Sequence, residues 1–243
     1  PVVKASVRLD APLKGGITPR VDIDFQTENF KYSSPIGPIS GVAAMAHFTN
    51  QLDTTQPTDD QNSRITAEKV HGLLHGVIPV NAFFTITDLE DPQVAMEGDF
   101  RADLAHCNAL FDENRVRLKA GKVVVNYSYN GKMAPVFDEK ENRLNGKLIG
   151  KATLDNVAFN YVPQRVNFTR MNSTIRFNEK EVDVSFLHLY HQRNQIRISG
   201  KIVGLLPYAF NSSGKVVGDM SIYTPDLGLD WIRNYNTTPT KQS

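Results

Sequence analysis

Apolar and polar residues alternate through most of the chain. Val182, Val184 and Phe186 fall on one side of an extended backbone, with Glu181, Asp183 and Ser185 on the other; Ile196, Ile198 and Ile202 repeat this against Arg197, Ser199 and Lys201. A period of two is the pattern of a strand buried on one face. Asn178-Glu179-Lys180 and Gln192-Arg193-Asn194 are polar breaks of hairpin length, so Leu148 to Ile232 reads as a strand meander. The same alternation runs through Val3 to Leu9, Val21 to Phe25, Val80 to Ile86 and Val123 to Tyr129. Ile39 to Thr49 reads as a longer strand, although its alanines suit a helix equally.

Interruptions complete the outline. Pro12 and Gly15-Gly16 end the first strand, Asn130-Gly131 predicts a tight hairpin, and Leu205-Leu206-Pro207 breaks the later ladder. Residues 50–63 are polar, lack apolar periodicity and predict a mobile loop at a hairpin tip, and Asp138 to Asn145 predicts a charged loop. Two short helices are expected. One spans Asp103 to Leu110, with Leu104, Cys107 and Leu110 or Phe111 on one side. The other spans Asp226 to Arg233, opened by Thr224-Pro225 and burying Leu227, Leu229 or Trp231.

The chain also resembles itself. Phe30-Lys31-Tyr32 superposes on Phe159-Asn160-Tyr161 and Phe48 on Phe177. Beyond the 50–63 insertion, Val80, Ala82 and Ile86 approach Ile196, Ile198 and Ile202, Gly98-Asp99 parallels Gly218-Asp219, and Asp103-Leu104 parallels Asp226-Leu227. This predicts two β repeats, residues 1–112 and 113–235, followed by a polar tail at 236–243. Side by side they form one continuous, all-β antiparallel sheet with one apolar face and few helices to cover it. Such a sheet must curl into a groove or a partly closed, barrel-like form.

Composition narrows the function. In 243 residues, 27 Lys and Arg balance 26 Asp and Glu, a net charge of +1, which offers no general attraction for nucleic acid. Cys107 is the single cysteine, excluding an intramolecular disulfide framework and a cysteine-rich zinc site. The chain begins at Pro1 without a signal-like or membrane-spanning run, and a processed protein or fragment with an upstream anchor is expected.

Chemistry-bearing motifs are sparse. His71 and His75, and His188 and His191, have spacings that suit ligands on a helix; on strands the second pair diverges to opposite faces. Asp88, Glu90, Asp91, Glu97 and Asp99 match no calcium-loop template. There is no G-x-S-x-G, P-loop or G-x-G-x-x-G, and Cys107 fits an apolar stripe. No catalytic residue, cofactor or metal is expected. The candidate ligand surface is the apolar face itself, with Val182, Val184, Phe186, Ile196, Ile198 and Ile202 as its lining; ordinary core is built from the same residue types, and accessibility separates the two.

Four phrases carry a family resemblance: FFTITDLEDPQVAMEGDFRADLAHCNAL, GKLIGKATLDNVAFNY, NEKEVDVSFLHLYHQRNQIRISGKIVGLL and GDMSIYTPDLGLDWI. Their succession resembles the carboxy-terminal region of the AsmA family of Gram-negative cell-envelope proteins, over most of Ile65 to Ile232 and weakly before it. The resemblance implies a long curled sheet with an apolar interior, in the periplasm and anchored in the inner membrane. It further implies a non-catalytic role in outer-membrane lipid homeostasis, with phospholipid acyl chains as partner. The alternative is a structural or adhesive envelope module that binds through loops such as 50–63.

Overall fold

The structure, a computed structural model, describes residues 2–11, 18–34, 37–211 and 215–225. Strands β1 (Val2–Asp10), β2 (Arg20–Ser34), β3 (Gly37–Thr49), β4 (Arg64–Leu74), β5 (Ile78–Thr87) and β6 (Gln93–Asp103) follow one another. A 3-10 turn, Leu104–Leu110, leads into β7 (Val116–Lys132) and a small hairpin of β8 (Phe137–Asp138) and β9 (Arg143–Leu144). The chain continues through β10 (Gly146–Tyr161), β11 (Val166–Asn178), β12 (Glu181–His191) and β13 (Asn194–Val203), then helix α1 (Leu205–Asn211) and β14 (Val217–Tyr223). Apart from β8–β9, all strands join one 12-stranded sheet in chain order, each antiparallel to its neighbours. The expected curled all-β sheet is what forms, and it does not close into a barrel.

The local chemistry explains most boundaries. Between β11 and β12, Asn178 Oδ1 accepts from the N–H groups of Lys180 and Glu181, each at 2.9 Å, which fixes a tight turn. Asp103 opens the 3-10 turn by accepting from the Ala105 N–H at 3.0 Å. The alanine-rich segment is β3, because pairing with β2 and β4 on both sides outweighs its helical preference. Residues 50–63 form the β3–β4 connection and are held by their own bonds: Leu52 N–H to Asn62 O at 2.8 Å, and Asn62 Nδ2 to Asp53 O and Pro57 O at 2.9 and 2.8 Å.

One turn expectation is corrected. Asn130-Gly131 lies inside β7, where Gly131 pairs with Val94 of β6 and Gly146 of β10. The glycine serves a close approach, since a Cβ there would run into the Cα of Gly146. The chain reverses later, through β8–β9. The turn signals at 12–17, the helix expected over Asp226 to Arg233 and the tail lie outside the described residues.

Cross-strand rows sort the side chains cleanly. Val80, Phe100, Val125, Ala152 and Ile175 stand opposite one another in register across five strands, so one face is apolar. Its core centres on Leu74, Ile78, Ala102, Val123, Val125 and Val157, with Leu104 and Cys107 of the 3-10 turn packed over them. Ile78 is 1% and Val157 0% exposed. Asn108 ties that turn down: its Nδ2 donates to the carbonyls of Ala105 and Leu118 at 3.1 and 3.0 Å, and the Leu118 N–H donates to its Oδ1 at 2.8 Å.

Irregularities recur in the two halves. The β2–β3 register shifts between Thr27 and Phe30, and that of β10–β11 between Leu154 and Val157, which sets Phe30 level with Val157 and Tyr32 with Phe159, two residues from the superposition expected from sequence. Matching shifts lie between Ser40 and Ala43 in β3–β4 and between Thr169 and Asn172 in β11–β12. A third pair lies between Ala67 and Val70 in β4–β5 and between Val184 and Leu187 in β12–β13. Strand lengths agree too: β3 and β11 have 13 residues, β4 and β12 have 11, β5 and β13 have 10.

Candidate functional surfaces

The apolar face is continuous but unevenly accessible. Of the six residues proposed from sequence, Val182, Val184 and Ile196 are buried, at 8%, 5% and 6% exposure, while Ile198 and Ile202 are half-buried. Phe186 departs from the set. Val184 pairs with Ile175 but Phe186 pairs with Thr174, the next residue along, because of the bulge at Ser185. The bulge puts Phe186 on the polar face, 44% exposed, with its ring edge-on to His188 at 5.5 Å, and Leu187 takes the apolar position opposite Ile198. Period-two reading carries no signal for such an insertion, which inverts every later side chain.

Accessible apolar surface lies elsewhere, toward the sheet's edges. On β1, Val3, Val7 and Leu9 are more than half exposed, and on β2 Phe30 and Tyr32 are exposed. Behind them Val21, Ile23 and Phe25 of β2 and Val42 and Phe48 of β3 are half-buried, with Val7 paired to Ile23 and Ile23 to Phe48. At the far edge Ile222 of β14 is 65% exposed. The face is therefore filled at its centre and open over the β1–β3 flank.

The opposite face carries the polar side chains and an open trough of 1080 Å³ crossing β4 to β12. Asn81, Asp99, Asn126, Lys151 and Arg176 stand in register along one side, and Phe83, Glu97, Ser128 and Ile149 along the other. Its polar groups are partly committed to each other: Asn81 Nδ2 donates to Asp99 Oδ2 at 3.3 Å, and Arg176 Nη1 to Ser185 Oγ at 2.8 Å. Behind the trough, on the apolar side of β7, burial and then the Asp99 charge push the Tyr127 phenol above its usual range. The trough was missed from sequence because its residues are scattered over seven strands; the signal is the polar half of the alternation, read across strands instead of along them.

The remaining candidates take structural places. His71 is exposed, its Nδ1 3.1 Å from Lys69 O, and His191 Nδ1 lies 3.0 Å from Asn167 O. Asp88 Oδ1 accepts from the N–H groups of Glu90 and Asp91 at 3.2 and 3.1 Å, closing the β5–β6 turn, and Asp91 pairs with Lys132 at 3.0 Å. No group of three His, Cys, Asp or Glu poised for a metal occurs among the described residues. Cys107 is 2% exposed, and burial, then the Asp103 charge, push its thiol up. At the β2–β3 end of the polar face, burial pulls Asp22 upward. Hydrogen bonds from Arg20 and Thr49, with the charges of Arg20 and His47, outweigh it and hold the carboxyl below its usual range. Among the described residues no helix is long and apolar enough to cross a membrane. Set against known proteins, the chain matches no family model, no curated protein and no solved structure.

Proposed function

We propose that this chain is a non-catalytic, AsmA-like segment of the periplasmic cell envelope that holds or passes phospholipid acyl chains along its apolar face. The observation that carries the reading is an apolar face running across all twelve strands of an unclosed sheet and left open over β1–β3. Because Val182, Val184 and Ile196 are packed while β1 beside β2 is exposed, this reading takes Val21, Ile23, Phe25, Val42 and Phe48 as the binding floor. Each methylene covered there contributes about 0.8 kcal/mol, so affinity would grow with acyl length and owe little to the headgroup.

Native mass spectrometry after mild extraction should show co-purified phospholipid. Ile23→Asp with Phe25→Asp should abolish it while leaving the circular-dichroism spectrum of a β protein. A lipid-free mass for the unmodified chain would sink the proposal.

The polar trough favours a second reading, an envelope module that binds a polar polymer or protein partner through that face and the 50–63 loop. Under it, replacing residues 50–63 by a short turn abolishes partner binding, and the aspartate pair on β2 leaves it intact. Under the lipid reading the two outcomes exchange.

A further inference from the structure

We propose that a phosphate-bearing ligand binds at the end of the sheet where β7 is joined to β10, β11 to β12 and β13 to β14. The site is a pocket of 630 Å³ lined by Lys132, Arg143, Lys180 and Lys215. It is separate from the β1–β3 flank and independent of acyl-chain binding there.

Three connections bring the cations together. The β8–β9 hairpin supplies Arg143 and is anchored by Leu144, 7% exposed. The Asn145 N–H donates to Val136 O and its Nδ2 to Pro135 O, each at 2.9 Å, which holds the hairpin against the end of β7. The β11–β12 turn supplies Lys180, whose N–H is fixed by Asn178, and the approach to β14 supplies Lys215. Gly204 draws these two together: its N–H donates to Lys180 O at 3.1 Å, and at φ +79° a Cβ on it would run into Lys215 O.

Their charges are unanswered. Lys132 pairs with Asp91 at 3.0 Å, but among the described residues the side chains of Arg143, Lys180 and Lys215 have no hydrogen-bond or ion-pair partner. Glu181, next to Lys180, is taken by Lys201 at 3.1 Å. A chain with a net charge of +1 thus sets Lys132, Arg143, Lys180 and Lys215 against Glu179 alone in one concavity. Like charges gathered in this way repel, and a bound anion relieves the repulsion. The guanidinium fork of Arg143 and the ammonium groups beside it suit the oxygens of a phosphate.

Size and lining narrow the class. Small-molecule sites occupy about 300–1,000 Å³, and 630 Å³ leaves room beyond a bare phosphate, against Leu144, Val203 and Pro207. The ligand is therefore an organic phosphate, either a phospholipid headgroup with its glycerol or a soluble phosphate ester.

Two probes separate the sources: glycerol 3-phosphate, followed by amide chemical shifts of the 243-residue chain, and phosphatidylglycerol vesicles, followed by co-sedimentation. The ester should shift the Asn145, Lys180, Gly204 and Lys215 amides saturably if the source is soluble, and only the vesicles should bind if it is a headgroup. In either case Arg143→Gln with Lys180→Gln should weaken binding at least about tenfold. Both side chains are exposed, so the fold should survive. Lys147→Gln, at an exposed position of β10 outside the pocket, should leave binding unchanged. Ile23→Asp with Phe25→Asp should leave ester binding intact, so this site and the acyl-chain flank fail separately. The proposal is overturned if neither probe shows binding that the Arg143 and Lys180 pair removes, or if Lys147→Gln weakens binding equally, which would mean a general attraction for anions.

Discussion

At the scale of single residues, three side chains make the fold testable. Asn108 satisfies both backbone groups of Leu118 and so fastens the 3-10 turn over the core; Asn108→Ala should cost about 1–3 kcal/mol, read from the denaturant midpoint. Asp22 has a folded value below its unfolded one, so its contribution to stability is complete above the unfolded carboxylate value of about 3.9 and is lost as pH falls through the folded value. Asp22→Asn should therefore be less stable than the unmodified chain at neutral pH, and the gap should close in acid; a gap that stays constant with pH would exclude the role given to Arg20 and Thr49. Cys107, buried and with its thiol pushed up, should react with thiol reagents only after denaturation.

At the scale of elements, burial separates positions that look alike in sequence. Ile78 and Leu9 both occupy apolar positions of alternating runs, but Ile78 is 1% and Leu9 66% exposed. Ile78→Ala should cost about 2–5 kcal/mol, whereas Leu9→Ala should change stability by less than about 0.5 kcal/mol. The alternation made the strands, their hairpins at Asn178 and Gln192 and the Asp103 helix start legible, because side-chain period and capping are local. What stayed hidden depends on neighbours. The bulge at Ser185 that removes Phe186 from the apolar face answers the register of β11, and Gly131 answers the approach of Gly146. The three pairs of matching register shifts support a duplicated unit more strongly than the residues alone, since bulge positions are not set by periodicity. On that reading β1–β6 and β7 with β10–β14 are the two copies.

At the scale of the whole molecule, a sheet of this kind divides its labour by face. The apolar side supplies cohesion at its centre, around Val157, and uncovered surface toward β1–β3, while the polar side supplies an aqueous trough. The sequence could place residues on a face, but exposure depends on how far each strand lies from the sheet's centre and on where the 3-10 turn packs. This is why the alternation put Val182, Val184 and Ile196 on the apolar side and left open whether they line a surface or fill a core.

The most direct test is photocrosslinking with a phospholipid carrying a diazirine near the end of one acyl chain, followed by mapping of the modified peptides. The account predicts adducts on β1–β3, within residues 2–10 and 20–49, that are lost when a long-chain phospholipid without the diazirine competes. Absence of adducts, or adducts confined to the polar trough around Asn81, Asp99 and Asn126, would contradict it.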